Sequence, residues 1–186
     1  MKKIYVILAA LVLLPLLVSL AIIAQEPEKK NKDLPNFHKV NDNLYRGGQP
    51  MNGGLKKLAG LGIKTVVNLR GDGEEVRNEE ATVNDLGMRY VSVPMSNLGR
   101  PTDGQIRQVM EIIETDANAP VFIHCRRGAD RTGVVVAVYR IIHDGWTADR
   151  AIEEAKRYGM GYVQFMKRDY IKDYYEEQSN NAKQVK

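Results

Sequence analysis

Residues 124–133 read His124-Cys125-Arg126-Arg127-Gly128-Ala129-Asp130-Arg131-Thr132-Gly133, and they include the only cysteine of the 186-residue chain. A short apolar run at 120–123 comes before this stretch and predicts a buried strand. A longer apolar run, Thr132 to His143, follows it and predicts a helix through the core. A tight loop between a strand and a helix N-terminus presents backbone N–H groups and the positive end of a helix dipole. The stretch therefore predicts an anion-binding loop that lowers the pKa of Cys125 and holds it as a thiolate.

The spacing within this stretch predicts phosphoryl-transfer chemistry. A thiolate can attack phosphorus and form a phosphocysteine intermediate, which divides ester hydrolysis into two easier steps. Arg131 returns to the mouth of the loop, where its planar fork can bind two phosphoryl oxygens. The Thr132 hydroxyl lies near the sulfur and can stabilise the thiolate as a leaving group. Backbone N–H groups along the loop can bind the remaining charge, and these predicted phosphate-binding residues are Arg126, Arg127, Gly128, Ala129, Asp130 and Arg131.

The stretch resembles the signature loop of cysteine-dependent protein tyrosine and dual-specificity phosphatases: His-Cys, five residues, Arg, Ser or Thr, and Gly. The sequences LYRGGQP at 44–50 and GIKTVVNLR at 62–70 are similar to a bacterial group of small dual-specificity-like phosphatases. This resemblance implies hydrolysis of phosphotyrosine or another phosphorylated protein residue, with no metal or other cofactor. It also implies that His124 hydrogen-bonds within the loop.

The resemblance further implies a general acid, which is an aspartate on a loop before the signature strand in most relatives. The corresponding position here is Asn97, whose side chain is not an acid. Myotubularin lipid phosphatases and a group of bacterial secreted phosphatases resemble this sequence in placing Asp immediately before the loop arginine. We therefore take Asp130 as the predicted general acid. The other interpretation is that its carboxylate orients Arg131 or accepts hydrogen bonds from loop N–H groups. Asp103 is the alternative acid, although it could equally complement a helix dipole.

Strands and helices alternate along the chain, which predicts one α/β domain over residues 37–178, with a central, mostly parallel sheet flanked by helices. Strands are predicted over 63–69, 88–93 and 120–123. Helices are predicted near 55–59 and over 74–86, 102–114, 132–143, 147–158 and 163–178. Thr102 and Gln105 form a capping box. The last helix has a core-facing stripe of Val163, Met166, Tyr170 and Tyr174, and a disordered tail is expected at 179–186.

The first 24 residues form a separate segment. Lys2 and Lys3 precede 21 uncharged residues, Ile4 to Ala24. As a helix this run would be about 30 Å long, enough to span a bilayer, and it also fits an export signal. Both interpretations place the following domain outside the cytoplasm, in the cell envelope. A polar linker is expected at 25–36.

Composition restricts the possible partners. Without Lys2 and Lys3, 25 of the 27 basic residues remain against 23 acidic ones, so the domain is nearly balanced in charge. This balance argues against a nucleic-acid partner. Because the chain has one cysteine, it has no internal disulfide.

Other functions remain open from the sequence. The extra charges of Arg126 and Arg127 favour a phosphoinositide or inositol phosphate substrate. Asn97 keeps open a catalytically weak module that only binds phosphorylated ligands. A rhodanese-type sulfurtransferase also uses a loop cysteine, but the continuation Arg131 to Gly133 argues against it. Arg46 and Arg70 are candidates either for substrate contact or for structural ion pairs.

Overall fold

The computed structural model describes residues 32–184. The hydrophobic helix predicted within 1–24 and most of the predicted linker lie outside this range, so both stay predictions. Among the described helices, none has the length and apolar character needed to cross a bilayer.

A five-stranded sheet forms the centre of the domain. Its strands lie in the order β1-β2-β5-β3-β4, and all neighbouring pairs are parallel except β1 with β2. This arrangement confirms the predicted α/β domain with a mostly parallel sheet. The strands are β1 (His38–Lys39), β2 (Leu44–Gly48), β3 (Thr65–Asn68), β4 (Arg89–Ser92) and β5 (Val121–Cys125).

Helices cover both faces of the sheet. Because side chains alternate along a strand, Val66 and Phe122 join the apolar cluster under the first two helices of the domain, while Val67 and Ile123 join the larger cluster under the four later helices. Central strands covered on both faces are buried throughout, as β5 is. The helices are α1 (Gly54–Gly60), α2 (Glu74–Asp85), α3 (Asp103–Glu114), α4 (Asp130–Asp144), α5 (Ala148–Arg157) and α6 (Phe165–Gln184), with a 3-10 turn at Asp116–Asn118.

Helix boundaries agree with the sequence where a local signal fixes them. The capping box at the start of α3 is present, with the Thr102 side chain accepting from Gln105 N and the Gln105 side chain accepting from Thr102 N. Helix α4 begins at Asp130, two residues before the predicted start, because the chain reverses at Gly128 with a φ of 70°. Asp130 and Arg131 therefore lie in the first turn of α4.

The ends of the domain differ from the prediction. Leu34 is buried and Pro35 O accepts a hydrogen bond from Gly48 N at 2.7 Å, so the domain begins before residue 37. Helix α6 continues to Gln184 without a Gly or Pro to stop it, and residues 179–184 are helical where a disordered tail was expected.

The predicted core stripe on α6 is only half correct. Tyr170 is buried and Tyr174 packs against the main cluster, but Val163 and Met166 are exposed. Val163 lies in the turn before the helix begins, so it does not share the helical face that the sequence period assigned to it.

The loop between β5 and α4 packs closely against β2. Gly128 has a positive φ, and a Cβ atom placed on it would lie 2.5 Å from both Gly47 O and Gly48 N. An L side chain at this position would therefore suffer both backbone strain and a clash with backbone atoms.

Substitution of Gly128 by alanine should destabilise the domain far more than the matched change at Gly62. Gly62 also has a positive φ, of 80°, but a Cβ atom there meets nothing within 4 Å. We expect Gly62→Ala to cost about 1 kcal/mol from strain alone, and Gly128→Ala about 3 kcal/mol because a backbone clash is added. Urea denaturation measures both losses, and equal losses would contradict the close packing of the loop.

Candidate active site

The sequence-predicted catalytic residues gather around one loop. Cys125 is the last residue of β5, and Asp130, Arg131 and Thr132 lie in the first turn of α4. All four are buried, with Cys125 3% and Arg131 8% exposed. The short connection at 126–129 brings the ends of these two elements together.

Carbonyl groups of the loop point outward to fixed partners. Asn36 Nδ2 donates to Arg127 O at 3.2 Å and to Gly128 O at 3.0 Å, and Arg46 Nη2 donates to Gly128 O at 2.9 Å. In a trans peptide the C=O of one residue and the N–H of the next point in opposite directions. The N–H groups of residues 128 and 129 are thus turned to the inside of the loop, as an anion site requires.

The surroundings of Cys125 favour its thiolate. Burial raises the pKa of the thiol, but the adjacent Thr132 hydroxyl and backbone N–H act against this, as do the Arg131 charge and the Arg127 backbone N–H. The net result is a pKa below the ordinary value of a cysteine thiol. These surroundings favour the thiolate, which is the nucleophilic form of a cysteine.

Arg131 is held beside the nucleophile by the end of a neighbouring strand. Its Nη1 donates to Leu69 O, directly after β3, at 3.2 Å. This contact fixes the orientation of the guanidinium while the rest of its planar fork can bind phosphoryl oxygens.

The Asp130 carboxylate connects the loop to the segment before α6. Its Oδ2 accepts from Arg127 Nη2 at 2.5 Å, and its Oδ1 accepts from Gly161 N at 3.0 Å. Arg127 therefore reaches along the surface to Asp130. The neighbouring Arg126 instead lines a separate cavity.

Asp103, the alternative acid, and Asn97, which occupies the position where relatives carry the acid, both contact side chains of α6. Asp103 Oδ1 accepts from the Tyr170 hydroxyl at 2.9 Å. Burial, together with this carboxylate, raises the pKa of Tyr170 well above its usual range. Lys167 Nζ donates to Asn97 O at 2.9 Å and to Gly99 O at 3.0 Å, which anchors the loop where relatives are expected to carry the acid.

A buried polar group beneath the loop was not predicted. His124 Nε2 lies 3.0 Å from Glu79 Oε1, and Asn68 Nδ2 donates to Glu79 Oε2 at 2.5 Å. The His124 side chain thus faces α2, rather than the loop contact that the resemblance implied. One signal was available, because Glu79 occupies the apolar stripe that Val76 and Val83 define on α2.

Arg46, in β2, donates a hydrogen bond to the loop carbonyl of Gly128. Its side chain is buried and its guanidinium carbon lies 4.3 Å from the centre of the Tyr158 ring. Burial lowers its pKa to about 10, although the Glu154, Tyr158 and Cys125 charges raise it. It is therefore neither at the substrate mouth nor in a surface ion pair, the two interpretations that the sequence offered.

Within residues 32–184, no group of three or more His, Cys, Asp or Glu side chains is arranged to hold a metal ion.

Comparison with known proteins places these features in a family. Residues 21–173 match the family model described as DSP-PTPase phosphatase fused to NAD+ kinase. The dual specificity protein phosphatase TpbA of Pseudomonas aeruginosa is 32% identical over 127 residues, which cover 68% of this chain and 56% of TpbA. The inositol diphosphatase DSP4 of Arabidopsis thaliana is 29% identical over 129 residues, covering 66% of this chain and 63% of DSP4. The chain thus spans little more than half the length of these relatives.

Solved structures show the same fold. A crystal structure of P. aeruginosa TpbA in complex with pTyr matches with a TM-score of 0.59 at 26% identity, covering 76% of this chain and 90% of that one. The core catalytic domain of the PP-IP phosphatase SIW14 from S. cerevisiae, in complex with citrate, matches with a TM-score of 0.68 at 24% identity, covering 80% and 93%.

Proposed function

This chain belongs to the family of DSP-PTPase phosphatases fused to NAD+ kinase, and from that premise we propose that it hydrolyses phosphomonoesters through a phosphocysteine intermediate. The observation that carries the proposal is the buried Cys125, whose pKa is lowered at the start of a loop that leads to Arg131, while Leu69 O orients the Arg131 guanidinium. A thiolate, a guanidinium fork and inward N–H groups around one point form a site for a phosphoryl group in its transition state.

The first step forms the intermediate. The Cys125 sulfur attacks phosphorus, an S–P bond forms, and the P–O bond to the leaving group breaks with its electron pair going to that oxygen. Arg131 and the loop N–H groups bind the equatorial oxygens throughout. Asp130, in its protonated form and with its contact to Arg127 broken, donates the proton that the leaving oxygen takes up.

The second step returns the enzyme to its starting state. Water attacks the phosphocysteine and loses a proton to Asp130, while the S–P bond breaks and its electron pair returns to sulfur. The Thr132 hydroxyl stabilises the thiolate that leaves. Inorganic phosphate is the product, and no metal takes part in either step.

The substrate we propose is phosphotyrosine or another phosphorylated protein residue. Its support is the similarity to TpbA, a dual specificity protein phosphatase of which a structure holds pTyr. An inositol phosphate is the second candidate, because DSP4 is an inositol diphosphatase and Arg126 adds a charge beside the loop.

We also propose that the apolar run from Ile4 to Ala24 brings the domain to the cell envelope. Its support is the sequence alone: a basic start, then a length that fits a bilayer span or an export signal. The membrane would be a partner of the chain if this segment is retained.

Phosphate release by the full chain tests the proposed activity. The panel contains an aryl phosphate, a phosphotyrosine peptide and a phosphoinositide, all with a chelator present. We expect Cys125→Ser to lose turnover entirely and Arg131→Ala to lose at least about a hundredfold, because one removes the nucleophile and the other a transition-state donor. The exposed Arg107→Ala is the matched control and should keep the wild-type rate. Binding of phosphopeptide without turnover by the wild type would overturn the proposal in favour of a binding module.

The role of Asp130 is tested by changing the leaving group. An acid matters most when the leaving oxygen is strongly basic, so Asp130→Asn should reduce kcat about a hundredfold or more on an alkyl phosphate. It should reduce kcat much less on an activated aryl phosphate. Asp103→Asn is the matched control and should affect both substrates equally, since its carboxylate is bound to Tyr170. A leaving-group dependence seen only in Asp103→Asn would transfer the acid role to that residue.

A further inference from the structure

A cavity of about 640 Å³ opens beside residues 126–129, the loop between β5 and α4 that we call the catalytic loop, and next to α1 and α2. Its volume is that of a typical small-molecule site. Its walls include two arginines, Arg70 and Arg126, together with Gln49 and Glu75. The mechanism proposed above uses neither the cavity nor Arg70.

The two arginines are tied to the catalytic loop through one residue. Gln49 N donates to Arg126 O at 3.2 Å, and Gln49 Oε1 accepts from Arg70 Nη1 at 2.6 Å. Arg70 also follows Leu69, whose carbonyl orients Arg131. Directly after β3, Leu69 thus orients Arg131, and the next residue, Arg70, lines the cavity.

One exposed acid compensates only part of the arginine charge in this cavity. Two of the lining residues are acidic, Glu75 and Glu79. Glu79 is buried and occupied by His124 and Asn68. Glu75 therefore remains as the acid that compensates the arginines.

The contact between Glu75 and Arg70 is of a kind that a ligand can replace. Glu75 Oε2 lies 2.6 Å from Arg70 Nη2, but the Glu75 side chain is 75% exposed and the Arg70 side chain only 19%. An ion pair with one partner so exposed to solvent contributes little to stability. An incoming phosphate or carboxylate offers Arg70 an equivalent partner, and Gln49 keeps the guanidinium in place during the exchange.

We propose that Arg70 and Arg126 form a second anion site, gated by Glu75, which binds an acidic group on the same molecule as the phosphomonoester to be cleaved. The inference rests on the proposed function, because it assigns a substrate class to that site: molecules with two anionic groups. The shared chemistry is a second phosphate or carboxylate. Its source is an acidic residue of a phosphopeptide or another phosphate of a small molecule.

Binding to the full chain carrying Cys125→Ser tests the site without turnover. One arm compares two phosphotyrosine peptides that differ only in Glu or Gln beside the phosphotyrosine. The other compares an inositol bisphosphate with an inositol monophosphate. In at least one arm we expect the doubly anionic probe to bind about tenfold more tightly, the effect of one charge-assisted hydrogen bond. The arm with the larger ratio identifies the source.

Variants of the cavity should change this ratio in opposite directions. Arg70→Gln should bring it close to one, and Glu75→Gln should increase it severalfold because the competing carboxylate is gone. The matched controls are Arg77→Gln and Glu74→Gln, exposed residues of α2 outside the cavity lining, which should leave the ratio unchanged.

Two results would overturn the second anion site. One is a ratio near one in both arms. The other is a ratio that neither Arg70→Gln nor Glu75→Gln alters relative to its control. If Arg70→Gln fails to fold, the ratio measured with Glu75→Gln alone decides whether the second anion site exists. Absence of wild-type turnover would instead contradict the proposed hydrolysis, and the binding ratios would still decide whether the site exists.

Discussion

Close contact between the catalytic loop and the backbone of β2 is the constraint on which the site depends. The reversal at Gly128 leaves no space for a side chain against Gly47 and Gly48. Asn36 and Arg46 then hold the loop carbonyls on the outside, so that the N–H groups of the same peptides face inward. Because these contacts form with the fold, the anion site and the conditions for a Cys125 thiolate are present before substrate arrives.

Several charged side chains are buried around this loop, and each contacts a polar or charged group, although Arg46 Nε and Nη1 are buried without a hydrogen bond. Glu79 contacts His124, while Lys167 donates to two carbonyls and to Gln164. Burial lowers the pKa of Lys167, although the nearby Asp130 charge raises it. Burial of charge is costly unless it is hydrogen-bonded, and the same bonds fix the segments that carry them. The domain therefore uses buried polar contacts to position its active-site loops.

Sequence reasoning was accurate where local patterns decide the structure. The signature stretch placed Cys125, Arg131 and Thr132 together, and the capping box fixed the start of α3. It missed contacts between distant parts of the chain. Asn36 lies 91 residues before its partner Arg127, inside a segment whose polar composition predicted a linker. The exposure of Val163 likewise follows from where α6 begins, which no periodic pattern could define.

The acidity of Cys125 tests the central claim, a thiolate stabilised by the loop, most directly. The rate at which iodoacetate alkylates the full chain rises with pH as the thiolate forms, and its midpoint gives the pKa of the single cysteine. We expect a midpoint below the ordinary value of 9.0, and a higher midpoint in Thr132→Val, which lacks the hydroxyl that faces the sulfur. A wild-type midpoint at or above 9.0 would contradict the account.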